Sequence, residues 1–168
     1  FSTLHTNDAP SALPRLIEMG VEPHFVASSL IGVMSQRLVR KICPDCAETY
    51  EPDAFERALL EKTLGRGIGH VTLSRGQGCA TCFSTGYRGR TAIHEVMPMT
   101  NELRDMMAEN VSLKELRHEA AAIGYRTMQQ DVLNRVLQHE ISMSEALANV
   151  YFDTIGIGQQ NSQTCQAA

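Results

Sequence analysis

Apolar residues recur at helical spacing in the first quarter of the chain. This periodicity predicts two helices, one over residues 11–19 and a longer one from Pro23 to about Arg40. Ser11 is suited to cap the first helix, which places Pro14 in its tolerated first turn.

Shorter apolar stretches predict strands at three places. Residues 1–5 are typical of the end of a strand, and residues 71–73 of a short one. A third strand is expected over residues 91–96, after a turn in which Gly86 and Gly89 adopt backbone angles that side chains disfavour.

Helical periodicity dominates the rest of the chain. Helices are predicted over residues 53–64, 100–109, 112–123 and 127–138, with a last short one from 142. Ser112 and Glu115 form the pattern of a capping box. The eight methionines are interpreted as core fillers, some of which could form an adaptable interface.

Two matched cysteine motifs carry the strongest chemical signal. Cys43 and Cys46, like Cys79 and Cys82, form a C-x-x-C hook, and 32 residues separate the two hooks. Two such turns can aim four sulfurs at one point, which is what a closed tetrahedral zinc site requires. We predict a structural site, because four thiolates leave no open position for water. Two disulfides or four free thiols are the alternatives.

Basic residues lie close to both hooks in the sequence. Arg37, Arg40 and Lys41 precede the first hook, and Arg88 and Arg90 follow the second. They could offset the net negative charge of a zinc ion with four thiolates, or they could be ordinary surface cations.

Composition limits the remaining possibilities. The 168 residues suffice for one domain or two small ones, and 43% of them are hydrophobic, enough for a core. A net charge of −4 and nine aromatic residues weaken the interpretation as a zinc-ribbon nucleic-acid binder. No apolar run predicts a membrane span. The chain starts without methionine, and we interpret it as part of a longer protein; Cys165 is expected to be a free thiol.

Several motifs occur together. Residues 2–9 read Ser-Thr-Leu-His-Thr-Asn-Asp-Ala, and further motifs lie at residues 19–23, 27–30, 36–40, 86–91 and 94–96. Together they resemble the traffic ATPases of type II secretion and type IV pili, whose His box is similar to residues 2–9. The resemblance covers about residues 1–153. The four cysteines beside the His box resemble the assembly ATPases rather than the retraction ATPases of that family.

The resemblance implies an α/β fold with four segments. Residues 1–42 would be the C-terminal piece of a RecA-like core with the His-box strand and two helices. Residues 43–95 would be an inserted tetracysteine zinc unit, and residues 96–153 a mostly helical C-terminal subdomain. Residues 154–168 are expected to be a disordered tail, because they have little to bury.

The resemblance also implies a function for the intact protein. Such ATPases form homohexamers on the cytoplasmic side of the inner membrane, peripheral to it. They use ATP and Mg²⁺ to drive pilin or pseudopilin assembly. The resemblance implies membrane-platform proteins as partners and no binding of nucleic acid. His5 matches the histidine near the γ-phosphate, and Thr3 and Thr6 match its neighbours. Arg88 and Arg90 could act as an arginine finger or anchor the zinc unit, and the anchor is favoured.

The family's Walker A, Asp-box and Walker B motifs are absent from this sequence. We therefore expect that the chain alone neither binds ATP tightly nor hydrolyses it. We also expect its first 40 residues to be displaced, swapped or packed in a dimer. The alternative function is a non-enzymatic zinc-binding module that binds a protein through its methionine-rich helices.

Overall fold

The computed structural model describes residues 1–6, 8–109 and 112–152, and within them the chain is mixed α/β. The helices are α1 (Ala12–Glu18), α2 (Pro23–Ser29), α3 (Ala54–Leu64), α4 (Asn101–Ala108), α5 (Leu113–Ala122), α6 (Met128–Leu137) and α7 (Met143–Asn149). The strands are β1 (Gly32–Ile42), β2 (Ala47–Tyr50), β3 (Leu73–Gly76) and β4 (Tyr87–Pro98). β1 pairs with β4 in one sheet, and β2 pairs with β3 in another. None of the helices in these ranges has the length and hydropathy needed to cross a bilayer.

The chain folds into two compact units, and each unit is formed by two separate stretches of the sequence. Unit 1 comprises Phe1–Leu38 and Ala92–Asp131. Unit 2 comprises Val39–Thr91 and the described residues of Val132–Ala168. The division into four consecutive segments stays a prediction, and its tail, residues 154–168, lies outside the described residues.

Unit 1 has a core of apolar side chains from its helices and from the end of β4. Its fully packed members are Ala9, Leu13, Val26, Ala27, Met97, Met99, Leu103, Met107, Leu116 and Ala120. Three of these are methionines, so their predicted role as core fillers is confirmed there. Arg104 secures α2 against this core by donating to the carbonyl oxygens of Ala27 and Leu30.

Side-chain caps begin α3 and α5, and the cap predicted at Ser112 is confirmed. The cap predicted at Ser11 is wrong, because its side chain makes no capping hydrogen bond at the start of α1. Asp53 accepts the N–H of Glu56 at 2.8 Å, and the Glu56 carboxylate accepts the N–H of Asp53 at 3.1 Å. Ser112 and Glu115 form the same reciprocal box at the start of α5. Each cap satisfies N–H groups that have no partner inside the helix, which fixes where the helix begins.

Asp53→Ala is expected to lower the free energy of unfolding by about 1 kcal/mol, because α3 loses its N-terminal cap. Urea denaturation measures the change. Asp53→Asn is the matched control, since asparagine also caps well and should restore most of the loss. Equal losses in the two variants would contradict a capping role for Asp53.

The second predicted helix is wrong beyond residue 29. α2 ends at Ser29, and β1 begins at Gly32 and continues through Ile42. Apolar residues at helical spacing suggested a continuous helix, but pairing with β4 prevails over that local pattern. Gly32 suits this pairing, because a Cβ there would lie 3.0 Å from the carbonyl oxygen of Met97. Met34 and Leu38 are consequently more than half exposed instead of lying on a buried helical face.

Two strand predictions also need correction. Residues 1–6 have no regular secondary structure, because no described strand pairs with them and an unpaired strand is not stable. The strand predicted at residues 71–73 instead runs over Leu73–Gly76, where it pairs with β2. β4 contains the predicted strand of residues 91–96 and extends beyond both ends of it.

Candidate metal centre

The two cysteine hooks bring their sulfurs to one point in unit 2. Cys43 follows β1 and leads into a short 3₁₀ turn that ends at Cys46. Cys79 leads into a second such turn, which ends at Cys82. Cys43 and Cys82 are buried, the other two are half-buried, and all four Sγ atoms lie within 4.8 Å of one another.

The distances between the sulfurs fit a tetrahedral zinc ion. Cys43 and Cys79 are 4.0 Å apart at Sγ, Cys46 and Cys82 are 3.8 Å apart, and Cys79 and Cys82 are 3.6 Å apart. A Zn–S bond of about 2.3 Å implies tetrahedral edges of about 3.8 Å. A disulfide needs an S–S distance of about 2.05 Å, so the alternative of two disulfides does not describe this structure.

Backbone N–H groups supply positive dipoles to the cluster. Cys46 Sγ accepts from Gly78 at 3.3 Å, while Cys82 Sγ accepts from Cys79 at 3.1 Å and from Gly86 at 3.3 Å. Such donors stabilise thiolates, and therefore also a metal bound by thiolates.

Burial and hydrogen bonding shift the pKa values of Cys46 and Cys82 in opposite directions. Burial raises the pKa of Cys43 and raises that of Cys46 to about 12. Burial also opposes ionisation of Cys82, but hydrogen bonds from the N–H groups of Cys79 and Gly86, together with those from neighbouring thiols, outweigh it and lower the pKa of Cys82 to about 6. A divalent cation ionises coordinating thiols, so metal binding here would release protons and would weaken as the pH falls.

A crossing of two glycines holds the hooks together. A Cβ at Gly76 would lie 2.0 Å from the carbonyl oxygen of Gly86, and a Cβ at Gly86 would lie 2.5 Å from that of Gly76. Gly86 also accepts the N–H of Cys43 at 2.9 Å through its carbonyl. The left-handed angles predicted for Gly86 and Gly89 are confirmed, with φ of 76° at both. Gly76 was not singled out, because the approach of a distant backbone leaves no local signal.

Most of the nearby basic residues bind carboxylates. Arg88 lies 3.5 Å from Asp45, the third residue of the first hook. Arg40 donates to Glu145 at 2.9 Å and Lys41 lies 3.2 Å from Glu140. The contacts on the sulfurs therefore come from backbone groups.

Arg90 is exposed and lines a cavity of about 240 Å³ with Arg40, Thr85, Tyr87 and Gly89. The arginine-finger role of Arg88 or Arg90 stays a prediction.

Comparison with known proteins adds the decisive observation. The sequence profile of the family described as Type II/IV secretion system protein matches residues 1–148. The chain belongs to this family. It is 41% identical over 149 residues to the type IV pilus assembly ATPase PilB of Thermus thermophilus, covering 88% of this chain and 16% of the relative. It is 39% identical to type II secretion system protein E of Pseudomonas aeruginosa and 39% identical to type II secretion system ATPase E of Vibrio cholerae. Those two alignments each cover 87% of this chain and 28% of the relative, so the chain spans under a third of these relatives.

The residues of this secretion-system chain that resemble a His box lie before α1 in unit 1, whereas the cysteines belong to unit 2. Thr3 and His5 are exposed, and Thr6 is half-buried. Their assignment to a nucleotide site stays a prediction. Glu95, a buried carboxylate close to the same segment, was missed as a site residue because only its burial makes it unusual.

Proposed function

We propose that this chain is the C-terminal part of an ATPase that couples ATP hydrolysis to pilin or pseudopilin assembly. The observation that carries the proposal is the tetracysteine cluster in a chain that also has a His-box sequence. Relatives that cover most of the chain are named pilus assembly ATPases and secretion ATPases, which supports it.

The proposal assigns the missing nucleotide machinery to the rest of a longer polypeptide. Its RecA-like core would hold ATP and Mg²⁺, and its subunits would form a homohexamer at the cytoplasmic face of the inner membrane beside platform proteins. The Walker motifs are absent from this sequence, so we expect no hydrolysis by the chain alone.

Zinc is the metal that the four cysteines would hold. A d¹⁰ ion with four thiolates has no open coordination position, so the ion would serve as a scaffold and not as a source of a nucleophile. The chain's own contribution is to bring the two hooks together and to direct three N–H groups at their sulfurs.

His5 is proposed to hydrogen bond to the terminal phosphate of ATP, with Thr3 and Thr6 beside it. An imidazole can donate to a phosphate oxygen through one ring nitrogen, and this bond changes when the phosphate leaves. The exposure of His5 in this chain suits a side chain that contacts a ligand.

His5→Ala in the intact protein should lower ATP turnover by about 10- to 100-fold, the loss expected for one hydrogen bond to a charged group. Steady-state phosphate release measures it. Metal content and melting temperature should stay unchanged, because His5 is exposed. His70→Ala replaces another exposed histidine and serves as the control. Full turnover in His5→Ala would refute the proposed role of His5.

A further inference from the structure

Glu95 is a carboxylate in the interior of unit 1, where it is 3% exposed. Its Oε1 accepts the N–H of Ala9 at 2.5 Å, and its Oε2 accepts the N–H of Met128, the first residue of α6, at 3.1 Å. Burial raises the pKa of Tyr125, and the charge of Glu95 and a hydrogen bond to it raise that pKa further. The stretch before α1 and the stretch leading into α6 thus meet β4 at this carboxylate.

These contacts fix the C-terminal end of the stretch that resembles the His box, residues 2–9. Ala9 is fully buried, and its carbonyl accepts the N–H of Ala12 at the start of α1. The preceding residue, Asp8, accepts the N–H of Ser11 at 2.9 Å and pairs with Arg117 at 2.5 Å. Four residues span at most about 14 Å, so the position of Ala9 limits where the His5 imidazole can lie.

A carboxylate suits this position better than an amide does. Both oxygens of Glu95 accept a backbone N–H, whereas glutamine would present one oxygen and one NH₂ group. In Glu95→Gln, the side-chain NH₂ group would therefore face the N–H of Ala9 or that of Met128, and two donors would oppose each other. One buried N–H would lose its partner, although the side chain keeps its size.

We infer that Glu95 is a positioning residue for ATP hydrolysis: its carboxylate holds the backbone at Ala9 and thereby sets where His5 meets the nucleotide. This inference rests on the proposed function. Glu95 acts through the backbone, and it contacts neither ATP nor the reacting phosphate.

The first test measures catalysis in the intact protein. Glu95→Gln should lower kcat by about 10- to 100-fold with little change in KM, since a misplaced group costs rate more than binding. In a His5→Ala background, Glu95→Gln should cause no further loss, because both changes remove the same contribution. Glu145→Gln is the matched control: Glu145 is also 3% exposed and accepts the N–H of Arg40 in unit 2. Glu145→Gln should lower the free energy of unfolding without lowering kcat as Glu95→Gln does.

The second test does not depend on activity. Hydrogen exchange of the peptide over residues 8–13, followed by mass spectrometry, should become faster in Glu95→Gln and not in Glu145→Gln. If Glu95→Gln fails to fold, Glu95→Asp keeps the charge but is one methylene too short to hold both donors, and it gives the same comparison.

The outcomes separate the inference from the proposed function. Unchanged exchange at residues 8–13 overturns the positioning role, whatever the activity. The positioning role is also overturned if Glu95→Gln shows faster exchange but wild-type kcat. The same holds if its loss of kcat adds to the loss caused by His5→Ala. Full activity of His5→Ala alone removes the proposed role of His5, and the inference falls with it, even though the exchange result still shows that Glu95 anchors the segment.

Discussion

Removing the metal from the four-cysteine cluster should lower the melting temperature by about 10 °C or more. The two hooks are joined at their tips by the sulfurs, and three N–H···S bonds are too weak to replace four metal–sulfur bonds. Burial also keeps the pKa of Cys46 high, so without metal the Cys46 thiol would stay protonated and form no strong bond to the other hook. We expect one zinc per chain before chelation, measured by elemental analysis, with melting followed by calorimetry.

A pair of cysteine variants makes the test specific. Cys46→Ser should lose the metal and most of the associated stability, because a neutral serine hydroxyl is a poor ligand for zinc. Cys165→Ser changes the one cysteine outside the hooks and should leave zinc content and melting unchanged. Absence of zinc, four titratable thiols and melting that is insensitive to chelator would together show that the hooks are not a structural metal site.

Gly76→Ala should lower the free energy of unfolding by about 3 kcal/mol, the upper range for overpacking. The added methyl would meet the carbonyl oxygen of Gly86 at 2.0 Å, and this backbone oxygen cannot rotate away as the end of a flexible side chain could. Denaturant unfolding measures the loss. Gly67→Ala is the matched control, because a Cβ there meets nothing within 4 Å. It should be neutral or stabilising by up to about 1 kcal/mol.

The same substitution should weaken metal binding. Gly86 donates its N–H to Cys82 Sγ and accepts the N–H of Cys43, so pushing its backbone aside disturbs both hooks. Competition with a zinc chelator should show weaker binding in Gly76→Ala than in Gly67→Ala. Equal stability and equal metal affinity in the two variants would mean that the glycine crossing does not support the cluster.

Features encoded within a few residues could be predicted from the sequence. The C-x-x-C spacing fixes each hook locally, and the cap predicted at Ser112 depends on Glu115, only three positions away. The family resemblance, carried by short motifs, is confirmed by the profile match over residues 1–148.

Features that depend on distant partners could not be predicted. The stretch from Gly32 to Ile42 has apolar residues at helical spacing, yet it pairs as a strand with β4. Gly76 matters only because residue 86 approaches it, and Glu95 only because Ala9 and Met128 direct their N–H groups at it. Periodicity cannot report such contacts, since it describes one stretch at a time.

The pairing of β2 with β3 makes the geometry of the metal cluster independent of the length of the segment between the two hooks. Ala47 pairs with Gly76 and Tyr50 with Leu73, so the segment between the hooks is closed at its base by backbone hydrogen bonds. Residues beyond that base can lengthen or shorten without moving a sulfur, and each doubling of a loop costs only about 0.6 kcal/mol. Residues 65–67 and 69–70 are exposed, and their three glycines have open space around them. This stretch is therefore where a peptide tag or a small reporter domain could be inserted while both hooks keep their geometry.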